Sequence, residues 1–123
     1  MNGNRFLLDT NIILYLLHGD QTLADILEGK QAYVSFITEV ELYGFKTLSA
    51  EEKDKITRVL ASCTIIDLNS GIKSKTIEVR QTYNTKLPDS FIAGTALYFD
   101  MPLVSADKGF SKITELDLLS YEQ

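Results

Sequence analysis

Residues 6–14 read FLLDTNIIL: three apolar residues, then Asp9-Thr10-Asn11, then apolar residues again. The first triplet suits a short buried strand, Phe6–Leu8. Ile12, Ile13, Leu16 and Leu17 recur at the spacing of one helical face, which predicts a helix over Asn11–Leu17. A lone carboxylate between two buried elements costs several kcal/mol unless it lies at an edge and has partners. Asp9 therefore has to stand where a strand ends, and the groups that accompany it there carry the function.

The same strand-then-helix unit recurs along the chain. Thr22–Glu28 reads as a helix stopped by Gly29, and Ala32–Ser35 as a second strand. Thr38-Glu39-Val40-Glu41 fits the S/T-x-x-E capping box and predicts a helix running to about Lys46, with Val40, Leu42 and Phe45 among its apolar positions. Ser49-Ala50-Glu51-Glu52 repeats that signature ahead of a helix over Ala50–Ala61, with Ile56, Val59 and Leu60 inward. Thr64–Leu68 is a third strand, and Ser70–Tyr83 a helix with Ile72, Thr76, Val79 and Tyr83 on one face. Lys86-Leu87-Pro88 marks a break, after which Asp89 opens an apolar helix through Phe91, Ile92, Ala96, Leu97 and Phe99. Met101–Val104 and a short Leu118–Tyr121 complete the strands. Strands alternating with helices specify an α/β fold with a parallel sheet covered on both faces.

At 123 residues the expectation is a single domain over 1–123. A composition of 45% hydrophobic and 24% charged residues is that of a folded globule, not a disordered chain. The apolar runs fall well short of the ~20 residues of a membrane span, and MNGNRF lacks the layout of a signal peptide, so a cytoplasmic protein with no membrane contact is expected. Cys63 is the single cysteine and His18 the single histidine, which leaves zinc and Ser-His or Cys-His nucleophiles unsupported. Net charge of −5 argues against a broad basic surface for nucleic acid, but not against an acidic metal site whose bound cation reverses the local field.

In a parallel α/β sheet, ligands gather outside the carboxyl ends of the strands. Four acidic residues fall there on this reading: Asp9 at the end of strand one, Glu41 in the first turn after strand two, Asp89 at the start of the helix leading into strand four, and Asp107 just past that strand. Each has an ordinary explanation alone: Glu41 as a capping-box residue, Asp89 at a dipole-favoured helix start, Asp107 in a solvated turn. None of these explains their common edge. Such a cluster repels itself, and no Lys or Arg is spaced to pair with all four. A hard cation, Mg²⁺ or Mn²⁺, neutralises it while retaining water, and water acidified in this way can attack a phosphodiester. Asn11 and Ser105 are then placed to orient carboxylates or waters, and Thr10 to serve the turn or cap the helix.

FLLDTNIIL, ITEVELYGF, LPDSFIAGTAL and LVSADKGF, in this order and covering Phe6 to Phe110, resemble the PIN-domain family, in particular the VapC-type toxins of prokaryotic toxin–antitoxin pairs. The resemblance implies a three-layer α/β/α sandwich around a mostly parallel sheet of four or five strands. It implies a metal-dependent ribonuclease with Asp9, Glu41, Asp89 and Asp107 at the family's acidic positions, and Asn11 and Ser105 at its polar supporting positions. It also implies a homodimer and a cognate antitoxin that blocks the site. Ser90 and Gly94 stand where the family often carries alanines, and Gly109 where an acidic residue is common; Gly94 is expected to soften its helix by up to ~1 kcal/mol. Arg80, Lys86 and Lys108 flank the acidic residues as candidate phosphate contacts, with solvated surface charge as the alternative. Tyr43, Tyr98 and Phe99 are candidates for a partner surface or for core packing. The competing class is a catalytically silent PIN-fold module that binds protein. A phosphatase or phosphoacceptor domain fits less well, because Thr10 and Asn11 follow Asp9 where a second acid is usual.

Overall fold

The computed structural model describes residues 4–123; Met1–Gly3, part of the N-terminal stretch read above for a targeting signal, lie outside the described residues. The elements in chain order are β1 (Arg5–Leu8), α1 (Thr10–Leu17), α2 (Gln21–Leu27), β2 (Gln31–Ser35), α3 (Phe36–Tyr43), α4 (Ala50–Ala61), β3 (Thr64–Ile66), α5 (Ser70–Thr82), α6 (Leu87–Phe99), β4 (Leu103–Ser105), a 3₁₀ turn (Lys108–Lys112) and β5 (Leu118–Ser120). The five strands form one sheet in the order β3-β2-β1-β4-β5, and each neighbouring pair is parallel. From β1 the chain winds outward through β2 to β3, then crosses back to place β4 on the other side of β1. The direction of winding thus reverses between β1 and β4, and the crevice of such a sheet opens at that reversal, outside the strands' carboxyl ends.

Alternation along the strands splits the core into two layers. Leu7 and Leu103 face Val79 of α5 and Ile92, Ala93 and Ala96 of α6. Their neighbours Leu8 and Val104 face the other way, onto Ile12 and Ile13 of α1, Leu23 of α2, Leu42 of α3 and Ile56 and Leu60 of α4. The result is the expected α/β/α sandwich. Helix starts follow local chemistry: Asp9, Asp20, Ser35, Ser49 and Asn69 each cap a first turn with a side-chain oxygen, and Ser49 and Glu52 complete the reciprocal capping box. Gly29, just past α2, takes the left-handed conformation (φ 78°) that lets the chain turn into β2.

One expected helix start is misplaced. Ser35, the last residue of β2, caps α3 by accepting from the Ile37 amide at 3.1 Å, so the helix begins at Phe36, straight off the strand. Thr38 is therefore inside the helix and fully buried, and Glu41 lies in the second turn instead of the first. The helix ends at Tyr43 with Gly44 as its cap, which leaves Phe45 outside it; of the apolar positions read for this helix Leu42 is buried, whereas Val40 and Phe45 are 62% and 50% exposed. Three smaller shifts share one cause, the backbone taking its turn before the apolar pattern changes. Asp9 is the cap of α1 and not the last residue of β1, β3 stops at Ile66, and α6 starts at Leu87 with Pro88 in its first turn.

Gly94 corrects a different expectation. It sits where α6 crosses α5, and a β-carbon there would lie 2.3 Å from Thr76 Oγ1 and 2.9 Å from the Thr76 backbone nitrogen. The residue is required by close packing, whatever it costs in helix propensity. Gly94→Ala is expected to lower stability by about 1–3 kcal/mol in urea denaturation through overpacking. Propensity acting alone would raise it by up to ~1 kcal/mol, so a more stable variant would show that the crossing has room to relax.

Candidate active site at the β1/β4 switch point

The turn after β1 and the turn after β4 are stitched together by side chains. Asp9 is 5% exposed; its Oδ1 accepts from the Thr10 amide at 2.8 Å and its Oδ2 from the Ser105 hydroxyl at 2.6 Å. Ser105 Oγ in turn accepts from the Asp107 amide at 2.9 Å. Asn11 Oδ1 accepts from the Ala106 amide at 3.2 Å. Every backbone amide of residues 106 and 107 is thus oriented by a group that the β1–α1 turn positions. Asp107 Oδ1 then accepts from the Gly109 amide at 2.8 Å and caps the 3₁₀ turn.

Glu41 joins from α3. Thr10 donates its one hydroxyl proton to Glu41 Oε1 at 2.7 Å, so at the 2.9 Å contact with Thr38 the donor has to be Thr38. Thr38 and Glu41 are three residues apart on one helical face, and Thr10 bridges both. The T-x-x-E spacing thus marks a shared face, and the role of Thr10 exceeds that of the turn residue expected. Asp89 enters from the first turn of α6, half-buried, and makes no hydrogen bond among the described residues.

Asp9 and Asp89 feel the neighbouring carboxylates. The Asp9 carboxyl is raised from its ordinary 3.8 to about 6, the net of burial, which raises it most, the hydrogen bonds from Ser105 and Thr10, which lower it, and the charges of Asp89 and Asp107, which raise it. Asp89 is raised by burial first, then by Asp107 and Glu41, with Lys86 and Lys112 opposing. None of the four forms a salt bridge among the described residues. Beside them lies an open cleft of about 480 Å³, lined among others by Asn84, Lys86, Asp89, Asp107, Gly109 and Lys112. Lys112 and Asn84 carried no signal in a linear reading, because only the fold brings the 3₁₀ turn against the α5–α6 connection. Of the basic residues proposed from sequence, Lys86 reaches this cleft. Arg80 instead donates to the Thr85 carbonyl at 2.8 Å, and Lys108 pairs with Glu122 at 3.1 Å.

A family model described as the PIN domain matches residues 6–116. The chain belongs to the PIN-domain family. Among solved structures, a toxin–antitoxin complex from Klebsiella pneumoniae is 30% identical, with 95% of this chain and 98% of that chain covered at a TM-score of 0.77. VapBC-1 from nontypeable Haemophilus influenzae is 25% identical, covering 94% and 97% with a TM-score of 0.78. VapBC2 from Rickettsia felis, bound to a DNA fragment from their promoter, superimposes with a TM-score of 0.83 over 96% and 99% of the two chains at 23% identity, a likeness of fold. No curated protein matches the sequence. Among the described residues no helix of this PIN domain is long and apolar enough to cross a membrane.

Its acidic site suits a hydrated hard cation better than a closed metal cage. Among the described residues, no three His, Cys, Asp or Glu side chains form a group that could ligate an ion by themselves. Mg²⁺ ordinarily takes one or two carboxylates and keeps its remaining waters, and Asp89, half-buried without a hydrogen bond, is a donor of the right hardness.

The raised Asp9 pKa fixes a pH dependence for the metal-free protein. Between 3.8 and about 6 the folded state holds a proton that the unfolded state releases, so stability falls as pH rises through that window. The full shift corresponds to about 3 kcal/mol. In EDTA, Asp9→Asn is expected to melt several degrees above the wild type at pH 7.5, with the advantage shrinking at pH 4.5. Thermal melts at both pH values decide it; an equal difference at the two would mean that the Asp9 charge is not the source.

Proposed function

We propose that this PIN domain is a metal-dependent endoribonuclease and the toxin component of a toxin–antitoxin pair. The observation that carries the reading is the gathering of Asp9, Glu41, Asp89 and Asp107 at the β1/β4 switch point, mutually repelling and without a salt bridge among the described residues. A bound cation would relieve the repulsion within such a cluster. The neighbours support the biological side: the Klebsiella pneumoniae structure is a toxin–antitoxin complex. A cognate antitoxin is the partner these neighbours support, and a second copy of the chain is the one that the sequence resemblance implies.

Asp9, Glu41, Asp89 and Asp107 would hold Mg²⁺ or Mn²⁺, one or two directly and the rest through water. When bound, such an ion supplies Lewis acidity, lowering the pKa of a water and offsetting charge that builds on the phosphate. The protein's own part is to fix the carboxylates in place. Ser105 and the Thr10 amide leave Asp9 one orientation, and the Asp107 carboxylate is set by the Gly109 amide. Thr10 engages Oε1 of Glu41 and leaves Oε2 able to accept a proton from the attacking water.

Asp89→Asn removes a carboxylate that no hydrogen bond ties to the fold, so it separates chemistry from stability. Incubated with a small-RNA pool, the wild type is expected to give discrete fragments with Mn²⁺ or Mg²⁺ and none in EDTA. Asp89→Asn should cleave at least ~100-fold more slowly while melting no lower than the wild type. Metal-independent fragments, or unchanged cleavage by the variant, would reject the mechanism; no cleavage by the antitoxin-free wild type, in a preparation that still binds the antitoxin when it is added, would instead favour a binding module.

A further inference from the structure

The α5–α6 connection forms one wall of the cleft, and it is held more firmly than a surface loop requires. Three consecutive carbonyls each accept a bond from a side chain elsewhere. Lys112 Nζ, from the 3₁₀ turn, donates to the Asn84 carbonyl. Arg80 donates to that of Thr85 at 2.8 Å, and Ser90 to that of Lys86 at 2.8 Å. Because the Ser90 hydroxyl proton is committed to Lys86, Thr85 has to be the donor in its 2.6 Å contact with Ser90 Oγ. Ser90 is fully buried, so this brace is anchored in the protein interior.

Two exposed lysines stand on this braced ground. Lys86 and Lys112 both line the cleft, both act on the Asp89 carboxylate, and neither forms an ion pair among the described residues. A cation beside a metal site weakens metal binding by like-charge repulsion, so these two are of no use to the ion itself. They suit an anion that arrives with it. Lys112 spends one of its three donors on Asn84 and has two left, and Lys86 has all three.

We propose that Lys86 and Lys112 form a phosphate subsite on the Asp89–Asp107 side of the cleft, gripping the phosphodiester next to the one that is cut. The inference rests on the ribonuclease reading for the identity of the polymer. Residues 84–86 are held rigid so that the grip sets which bond reaches the carboxylates, and Lys112 contributes both the charge and part of the brace.

The test is fluorescence anisotropy of a labelled, randomised octaribonucleotide over a range of KCl, with Ca²⁺ as the cation. The proteins are the wild type, Lys86→Ala, Lys112→Ala, Lys112→Arg and Ser90→Ala, with folding checked by melting. Each lysine-to-alanine change is expected to weaken binding several-fold and to reduce the slope of log affinity against log salt by about 0.7, the value for one phosphate contact on a single strand. Lys112→Arg should restore the slope. Ser90→Ala, which loosens the wall without removing charge, should weaken binding at an unchanged slope. An octamer with neutral methylphosphonate linkages should not distinguish the variants. Slopes unchanged in both lysine variants, equal discrimination on the neutral octamer, or no binding by the wild type would each overturn the subsite. The two readings fail separately: metal-dependent cleavage with unchanged slopes removes the subsite alone, whereas lysine-dependent slopes without cleavage sustain the subsite and remove the hydrolysis.

Discussion

The 2.6 Å hydrogen bond from Ser105 to Asp9 joins the carboxyl ends of the two strands between which the sheet reverses its winding. Much of the site's geometry is built on it. The same Ser105 oxygen accepts the Asp107 amide, so the loop that carries the fourth carboxylate is aimed by the residue that anchors the first. Through Thr10, next in sequence to Asp9, the connection extends to Glu41 on α3. A buried charge is tolerated here because it is hydrogen-bonded on both oxygens and lies at the rim of the core, where its field reaches a cleft open to water.

That arrangement divides the molecule between stability and chemistry. The two apolar layers, around Leu7 and Leu8, are unaffected by the acidic rim and supply the stabilisation that lets the repulsion persist. The repulsion in turn depends on folding: in an extended chain Asp9, Glu41, Asp89 and Asp107 are separated from one another by 18 residues or more, and only the parallel crossovers bring them to one edge. A folded state that pushes carboxyl pKa values upward is a folded state with free energy available to whatever neutralises them.

Much of this was legible in the sequence because strand-to-helix transitions leave local marks. FLLDTNIIL carries an apolar triplet and a helical face in nine residues, and both behave in the fold as they read; Asp9 between them, read as the strand's last residue, caps the helix instead. Ser49-Ala50-Glu51-Glu52 likewise encodes its capping box fully within itself. Thr38 and Glu41 misled because the same i, i+3 spacing serves two geometries: a reciprocal cap and a common helical face. The choice between them depends on Ser35, which ends one element and begins the next. The cleft was legible only in part for a related reason. Asp89 and Asp107 announce themselves through helix and strand boundaries, whereas Lys112 and Asn84 meet across a tertiary contact that no local pattern encodes.

Ser90, Gly94 and Gly109, which the sequence resemblance sets apart, all lie around the same cleft wall or the helix crossing behind it. Gly94 allows α6 to approach Thr76 of α5 more closely than any side chain would permit. Ser90, four residues earlier on the same helix, uses its buried hydroxyl to bind the Lys86 carbonyl and receive Thr85, fixing the connection that the close α5–α6 crossing leaves behind. Gly109, across the cleft, brings its amide to Asp107, and a β-carbon there would stand 3.0 Å from the carboxylate oxygen. An acidic side chain at that position would add another negative charge beside the lysines. With glycine there, no further carboxylate joins Asp89 and Asp107 in the lining that Lys86 and Lys112 share. What this chain shares with its family is the fold; the shape of the wall follows from Gly94, Ser90 and the carbonyls that Lys112 and Arg80 hold.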